Sequence, residues 1–344
     1  MTLILHSLIL IAAFYAIARI CDKHFIPSLD YISRRLGLSH DAAGATLMAV
    51  GSSASELFVA IIALVKPGEH GSLGAGTIVG SAIFNLLVII GASVIVRQTT
   101  LKWHSVFRDV FFYGIAIALL YFTFRDGIIS LNDSIIFIAV YIIYVFTVIK
   151  WKKIVPDQPK DKPLTFQQKR ENIRAKIVEL AHKLIDKFFP KEKQYSTFIF
   201  SILAIALISW VIVESAIEIS LVLNVPEAII GLTVIAIGSS IPDLLSSVIV
   251  SKQGRNGMAI SNAIGSNIFD ILFGLGLPWL MVILIKGSPV TVETSDLHSS
   301  VLVLFLSLVA IFLIMLINKW KLGKKSGILL ISLYLAYIVW TIFL

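Results

Sequence analysis

The chain contains the stretch GLTVIAIGSSIPDL at positions 231–244, which repeats much of GATLMAVGSSASEL at positions 44–57. Seven of the fourteen aligned residues are identical. A second pair of blocks follows in the same order, GSAIFN at 80–85 and GSNIFD at 265–270. The two pairs are offset by 187 and 185 residues, so both belong to one duplicated unit. The sequence therefore predicts two related halves.

The composition around these blocks excludes a water-soluble fold. Of the 344 residues, 57% are hydrophobic and only 15% are charged, and the mean hydropathy is +0.91. A soluble domain carries about 25% charged residues. Apolar runs long enough to cross a bilayer predict an all-α polytopic membrane protein with ten transmembrane helices. The predicted spans are 1–21, 38–65, 73–96, 106–124, 130–149, 197–222, 226–250, 257–285, 298–318 and 325–344.

The basic residues predict the orientation of these spans. All but Lys66, Arg125 and Lys286 of the 29 Lys and Arg residues fall in alternate loops, which predicts that these loops are cytoplasmic and that both termini lie outside. The net charge of +8 is concentrated in the loop 150–196, so it does not indicate a nucleic-acid partner. In this loop, residues 166–189 predict an amphipathic helix along anionic cytoplasmic headgroups, with a solvated helix as the alternative.

The loop divides the chain into a first five-helix repeat, 1–149, and a second five-helix repeat, 197–344. Because five is odd, the second copy enters the membrane from the opposite side. Inverted-topology repeats are typical of secondary transporters, whose substrate site lies near the midplane where the repeats meet.

Three acidic residues lie inside predicted spans, Glu56, Asp243 and Asp270. A carboxylate at the bilayer centre costs at least about 2.5 kcal/mol, so its default interpretation is functional. All three belong to the repeated blocks. The alternative is a structural role, in which each carboxyl group bonds to a neighbouring helix.

The neighbours of these acids offer only oxygen ligands. Hydroxyl and amide side chains recur three or four residues away on the same helix faces. Gly51, Gly238 and Pro242 are predicted to weaken the helices and turn backbone carbonyls inward. Oxygen ligands favour hard cations such as Ca²⁺ and Na⁺ and disfavour Zn²⁺ or Cu⁺. The predicted ligands are Glu56, Asp243, Asp270, Asn85, Ser52, Ser53, Ser239, Ser240, Ser81 and Ser266, with the carbonyls of Ala49 and Ala236.

These blocks resemble the two alpha-repeats of the cation/Ca²⁺ antiporter superfamily. The run from Gly254 to Leu272 is most similar to its potassium-dependent sodium/calcium exchanger branch. The alpha-repeats would span about 38–96 and 226–285. The resemblance implies exchange of Na⁺ for Ca²⁺ by alternating access, with Glu56 and Asp243 as the central acids and with the first and sixth helices sliding across the core. An acid at position 270 is associated with potassium dependence, so transport of K⁺ is left open. No cofactor is expected.

Two features depart from the family pattern or lie outside it. The first-repeat acid usually follows a proline, but here Ser55 precedes Glu56. The sixth span carries Glu214 and Glu218, which are interpreted either as an outer vestibule for cations or as a helix end exposed to water.

Four other functions remain as alternatives. A Ca²⁺/H⁺ antiporter or another divalent-cation exchanger would use similar oxygen ligands. An intramembrane aspartyl protease would use Asp243 and Asp270 but would leave the duplication unexplained. A passive channel would show no countertransport. The expected location is a plasma membrane or a bacterial inner membrane, and the sequence leaves the oligomeric state open.

Overall fold

The computed structural model describes residues 2–35, 51, 53–68, 70–101, 103–154, 194–252 and 256–343. The predicted amphipathic helix at 166–189 and the first part of the predicted span 38–65 lie outside these residues. Nearly all of the described chain is helical, and the helices are joined by short connections.

Seven helices of the described first half are numbered here in chain order. They are α1 (Thr2–Ile20), α2 (Ile26–Arg35), α3 (Ala54–Val65), α4 (Gly71–Phe84), α5 (Ile90–Val96), α6 (Trp103–Thr123) and α7 (Leu131–Ile154). Those described in the second half are α8 (Gln194–Leu223), α9 (Glu227–Ile230), α10 (Ala236–Lys252), α11 (Asn256–Phe269), α12 (Gly276–Lys286), α13 (Ser295–Ile317) and α14 (Lys324–Phe343).

In the described part of the chain, four breaks between consecutive helices are π-helical segments, in which the backbone continues as a helix with a wider turn. They cover Cys21–Phe25, Asn85–Ile89, Gly231–Ile235 and Asp270–Leu275. Each segment links two helices into one longer helix, α1 to α2, α4 to α5, α9 to α10 and α11 to α12. The sequence did not predict these segments.

Seven of the ten predicted spans coincide with helices of the described chain that are long and apolar enough to cross a membrane. These helices are Thr2–Ser28, Gly71–Val96, Val106–Thr123, Leu131–Trp151, Gln194–Leu223, Ala259–Lys286 and Leu297–Ile317. Shorter apolar helices at Ala54–Val65 and Glu227–Ile241 fall within the predicted spans 38–65 and 226–250. Helix α14 covers the last predicted span.

The helices form a core and a peripheral pair. The helices Gly71–Val96 and Ala259–Lys286 are the most enclosed of the candidate spans, with 83% and 67% of their apolar windows buried. One apolar cluster surrounds these two helices. A second cluster joins α1 to α8 along their lengths and to the edge of the core. Outward-facing side chains such as Leu207 and Ile317 are large, apolar and exposed, which suits contact with lipid.

Among the described residues, two short antiparallel ribbons tie the halves together, in addition to the predicted helices. Strand β1 (Thr99–Thr100) pairs with β4 (Lys321–Leu322), and β2 (Ile128–Ile129) pairs with β3 (Val290–Thr291). The all-α prediction missed these strands. Strands of two residues carry too little periodicity to be detected from sequence.

The core depends on a close crossing between α4 and the helix formed by α9, the following π segment and α10. A methyl group added at Gly76 would lie 2.6 Å from the carbonyl oxygen of Ala228, and one at Gly231 would lie 2.5 Å from that of Leu73. Glycines therefore allow the two backbones to touch, as small residues commonly do between membrane helices.

We expect Gly76→Ala to destabilise the protein. Alanine gains about 1 kcal/mol in helix propensity, but its methyl group meets backbone that cannot rotate away, and such overpacking costs about 1–3 kcal/mol. Thermal unfolding of the detergent-purified chain measures the net loss. Gly114→Ala is the matched control, because nothing lies within 4 Å of the added methyl group on α6. Equal stability of the two variants would contradict the close crossing.

Candidate cation-binding site

The three predicted acids come from three different helices. Glu56 lies in the first turn of α3 and Asp270 begins the π segment after α11, and their exposed fractions are 2% and 1%. Asp243 is half-buried on α10. The Asp270 carboxylate lies within electrostatic range of Glu56 and Asp243. The structure therefore brings the three acids into one region of the core.

Serine hydroxyls surround the Glu56 carboxylate. Ser55 Oγ donates a hydrogen bond to Glu56 Oε2 at 2.6 Å. The hydroxyls of Ser81 and Ser239 also interact with this carboxylate. Ser81 Oγ lies 3.0 Å from Ser240 Oγ, which joins α4 to α10. Helices from both halves thus contribute hydroxyl oxygens to one cluster.

Asp270 has a sparser environment. The Ser53 hydroxyl interacts with its carboxylate, whereas Asp270 Oδ1 is buried and accepts no hydrogen bond. The amide oxygen Asn85 Oδ1 is likewise buried without a partner. Asn85 and Asp270 occupy equivalent positions in the repeated blocks, and each begins a π segment. Such segments often occur at functional sites, because the wider turn disturbs the backbone hydrogen bonds.

Not every predicted ligand joins the cluster through its side chain. Ser266 is buried, but its hydroxyl donates to the carbonyl of Ala263 on its own helix at 3.2 Å. Ser239 Oγ, which interacts with Glu56, also lies 3.4 Å from the carbonyl oxygen of Ala236 on its own helix. Ser52 and Ala49 lie outside the described residues.

Gly238 and Pro242, which were predicted to weaken the second-half helix, do not interrupt it. Helix α10 runs without interruption from Ala236 to Lys252, and the irregular turn comes earlier, at Gly231–Ile235. Gly238 has a packing role instead, because a methyl group there would collide with the ring of Phe14 on α1.

Three side chains near the site, those of Ser55, Asn267 and Tyr113, were not predicted as part of it. Ser55 was interpreted only as a missing proline, yet it bonds to Glu56. Asn267 Nδ2 donates at 2.9 Å both to the carbonyl oxygen of Ala82 and to the hydroxyl of Tyr113. Asn267 Oδ1 accepts from Asn85 Nδ2, also at 2.9 Å. The sequence signal that could have identified Asn267 is its position in the GSNIFD block. The equivalent residue of the first repeat is Ala82, which has no polar side chain.

One of the two acids on the sixth span is already paired. Glu214 on α8 forms an ion pair with Lys66, which follows α3. The ammonium group of Lys66 also lies 5.8 Å from the ring centre of Trp210 on α8. This contact pairs Glu214 with a cation and joins the peripheral pair to the core, so it argues against Glu214 as a free carboxylate in an outer vestibule.

The cluster suits a hard cation through mixed oxygen ligands. In the described part of the chain, no group of three or more Asp, Glu, His or Cys side chains is close enough to hold one metal ion. In this structure the acids therefore do not converge on a single point. A cation held here would need hydroxyl and amide oxygens to complete its shell, as Ca²⁺ with its six to eight ligands commonly does.

Comparison with known proteins places the chain in a family. The family profile described as "Sodium/calcium exchanger protein" matches residues 6–150 and 193–343. Human sodium/potassium/calcium exchanger 5 is 30% identical over 411 residues, an alignment that covers 97% of this chain and 82% of the relative. Chicken sodium/potassium/calcium exchanger 2 is 28% identical over 505 residues and is covered to 77%, with 99% of this chain aligned.

Solved structures share the fold at low sequence identity. The crystal structure of the H⁺/Ca²⁺ exchanger CAX gives a TM-score of 0.67 at 15% identity, covering 98% of this chain and 81% of CAX. The sodium-calcium exchanger NCX_Mj, soaked with Na⁺ and Sr²⁺, gives 0.59 at 22% identity, covering 98% of each chain. With the profile match over both halves and the apolar helices, these findings show that the chain is an integral multi-pass membrane protein that belongs to the sodium/calcium exchanger family.

Proposed function

We propose that the chain is a secondary antiporter that exchanges Na⁺ for Ca²⁺ by alternating access. The observation that carries this proposal is the enclosed oxygen cluster, in which Glu56 and Asp270 are buried among hydroxyls contributed by both halves of the chain. The names of the sodium/potassium/calcium exchanger relatives support the choice of ions.

The proposed architecture has ten spans in two inverted repeats, 1–149 and 197–344, with both termini outside. Contacts within the described chain support it, because several contacts between helices recur when the two halves are exchanged. Helix α5 packs on α14 as α12 packs on α7, and α4 packs on α13 as α11 packs on α6. The ribbon β1–β4 corresponds in the same way to β3–β2.

The proposed ligands are those of the predicted set, with the three acids supplying the charge. If all three are ionised, the site carries −3. One Ca²⁺ leaves −1, whereas three Na⁺, or Ca²⁺ with K⁺, neutralise the site. Since Asp270 Oδ1 has no partner, this carboxylate is the proposed contact for the additional cation.

Coupling follows from the cost of burying charge. An empty, ionised cavity is expensive to close in a medium of low dielectric constant, while a cavity filled with cations is not. Only a cation-loaded site can therefore close and reopen to the other side of the membrane. Since Na⁺ and Ca²⁺ compete for overlapping oxygens, one ion is carried in exchange for the other. The moving element is the pair α1 and α8, which has its own apolar cluster beside the core.

We expect an imposed Na⁺ gradient to drive Ca²⁺ accumulation in proteoliposomes that contain the purified chain. Separate Na⁺, K⁺ and pH gradients identify the counter-ion. Accumulation driven by the pH gradient alone would indicate Ca²⁺/H⁺ exchange instead, and downhill Ca²⁺ flux without countertransport would indicate a channel. If removal of K⁺ leaves the flux unchanged, only the potassium part of the proposal fails.

We expect Glu56→Gln and Asp243→Asn each to reduce Na⁺-driven Ca²⁺ flux to the level of empty liposomes, because each removes a charge that the cation replaces on binding. Both changes are nearly isosteric, so the variants should elute as folded protein on size-exclusion chromatography. Glu293→Gln is the matched control, since Glu293 is exposed beyond strand β3 and should tolerate the same change. Substantial flux through either site variant would contradict the proposed role of that acid.

A further inference from the structure

We infer that Asn267 is a positioning residue, which holds the Asn85 amide with its oxygen, rather than its NH₂ group, toward the transported cation. This inference rests on the proposed function, in which Asn85 is a ligand. It assigns a role in ion binding to a side chain that is not itself a ligand.

The orientation begins at the Ala82 carbonyl. A backbone carbonyl only accepts hydrogen bonds, so the Asn267 side-chain atom 2.9 Å from it must be the NH₂ nitrogen. The second hydrogen of that nitrogen is used by the Tyr113 hydroxyl oxygen at 2.9 Å. Both donors of Asn267 are therefore occupied, and turning the amide over would lose the bond to Ala82 and place two acceptor oxygens against each other.

The orientation then passes to Asn85. With its nitrogen committed, Asn267 presents its oxygen toward Asn85, and an oxygen can only accept. Asn85 must therefore donate from its own NH₂ group, and Asn85 Nδ2 lies 2.9 Å from Asn267 Oδ1. The remaining polar atom of Asn85 is its amide oxygen, which is buried and without a partner.

A buried acceptor without a partner costs about 1–3 kcal/mol, so it needs an explanation. Here the unpaired atom is an oxygen on a residue equivalent to Asp270, whose Oδ1 is also unpaired. A cation satisfies an oxygen but is repelled by an NH₂ group. Fixing the amide therefore determines whether Asn85 attracts or repels the transported ion.

The two repeats differ at the positions that form this contact, and the difference agrees with the proposed role of Asn267. The first has Ala82 and Asn85 where the second has Asn267 and Asp270. An ionised carboxylate presents oxygen whichever way it turns, so Asp270 needs no orienting partner, and the residue equivalent to Asn267 in the first repeat is Ala82, which has no polar side chain. An amide does need one, and Asn267 from the other half supplies it. Asn85, Asn267 and Tyr113 are all at most 1% exposed, so water does not compete for these bonds.

Ca²⁺ flux through the full chain in proteoliposomes tests this role. Asn267→Leu keeps the approximate volume but removes all three hydrogen bonds. Loss of such a supporting partner typically weakens metal binding about 10- to 100-fold, and we expect the Ca²⁺ concentration at half-maximal flux to rise by that factor. Asn262→Leu, an exposed position on the same helix, should leave it unchanged.

A double-mutant cycle separates positioning from a purely structural role. In the Asn85→Ala background the amide is absent, so Asn267→Leu should add little to the half-saturating Ca²⁺ concentration. A structural residue would instead lower the maximal flux and the yield of folded protein equally in both backgrounds, and that result would overturn the inference. Independent effects of the two changes on half-saturation would also overturn it.

A milder variant keeps the test decisive if Asn267→Leu fails to fold. Tyr113→Phe removes one acceptor and should raise the half-saturating concentration about two- to tenfold, which is the effect of one neutral hydrogen bond. An unchanged value would count against the inference. If Asn85→Ala impairs Ca²⁺ flux while Asn267→Leu and Tyr113→Phe do not, only the positioning role fails. If the unaltered chain shows no Na⁺-driven flux, the proposed function fails.

Discussion

The structure is organised around the cost of holding carboxylates in an apolar interior. Glu56 and Asp270 are almost completely enclosed, and Asp243 lies beside them. An ionised group in such surroundings must be compensated by hydrogen bonds or by a counter-ion. The Ser55 hydroxyl bonds to Glu56 and the Ser53 hydroxyl interacts with Asp270. The remaining unsatisfied oxygens lie where a transported ion is proposed to bind. The same cost therefore explains the hydroxyl-rich helices and the coupling of ion binding to closure.

The close helix crossing serves the same requirement. Serine and asparagine have short side chains, so they reach a common ion only if their backbones approach closely. Gly76 and Gly231 allow α4 to touch the opposing helix, and Ser81 then comes within 3.0 Å of Ser240. A larger residue at either glycine would separate the hydroxyls as well as the helices. Packing and ligand geometry are thus set by the same contacts.

The sequence predicted the larger features and missed the finer ones for physical reasons. Hydropathy locates long apolar helices, and duplication marks the blocks that contain Glu56 and Asp270, because both signals are local or internal to the chain. The π segments at Asn85 and Asp270 depend on how the helices pack, and no residue pattern marks their wider turn. Asn267 looks like an ordinary helix residue until Tyr113 and Ala82 are placed beside it. The roles of individual ligands remain predictions.

The two small ribbons bear on how the chain is assembled as it is made. Strand β1 can pair only after β4 has been synthesised, more than 200 residues later. Strand β2 can pair only after β3, more than 150 residues later. Glu56 similarly enters the membrane well before Ser239 emerges from the ribosome. The first half is therefore synthesised before its partner strands and before the second-half hydroxyls, although Ser55 already adjoins Glu56. Neither half can complete these contacts alone, so they form only after the second half has been synthesised.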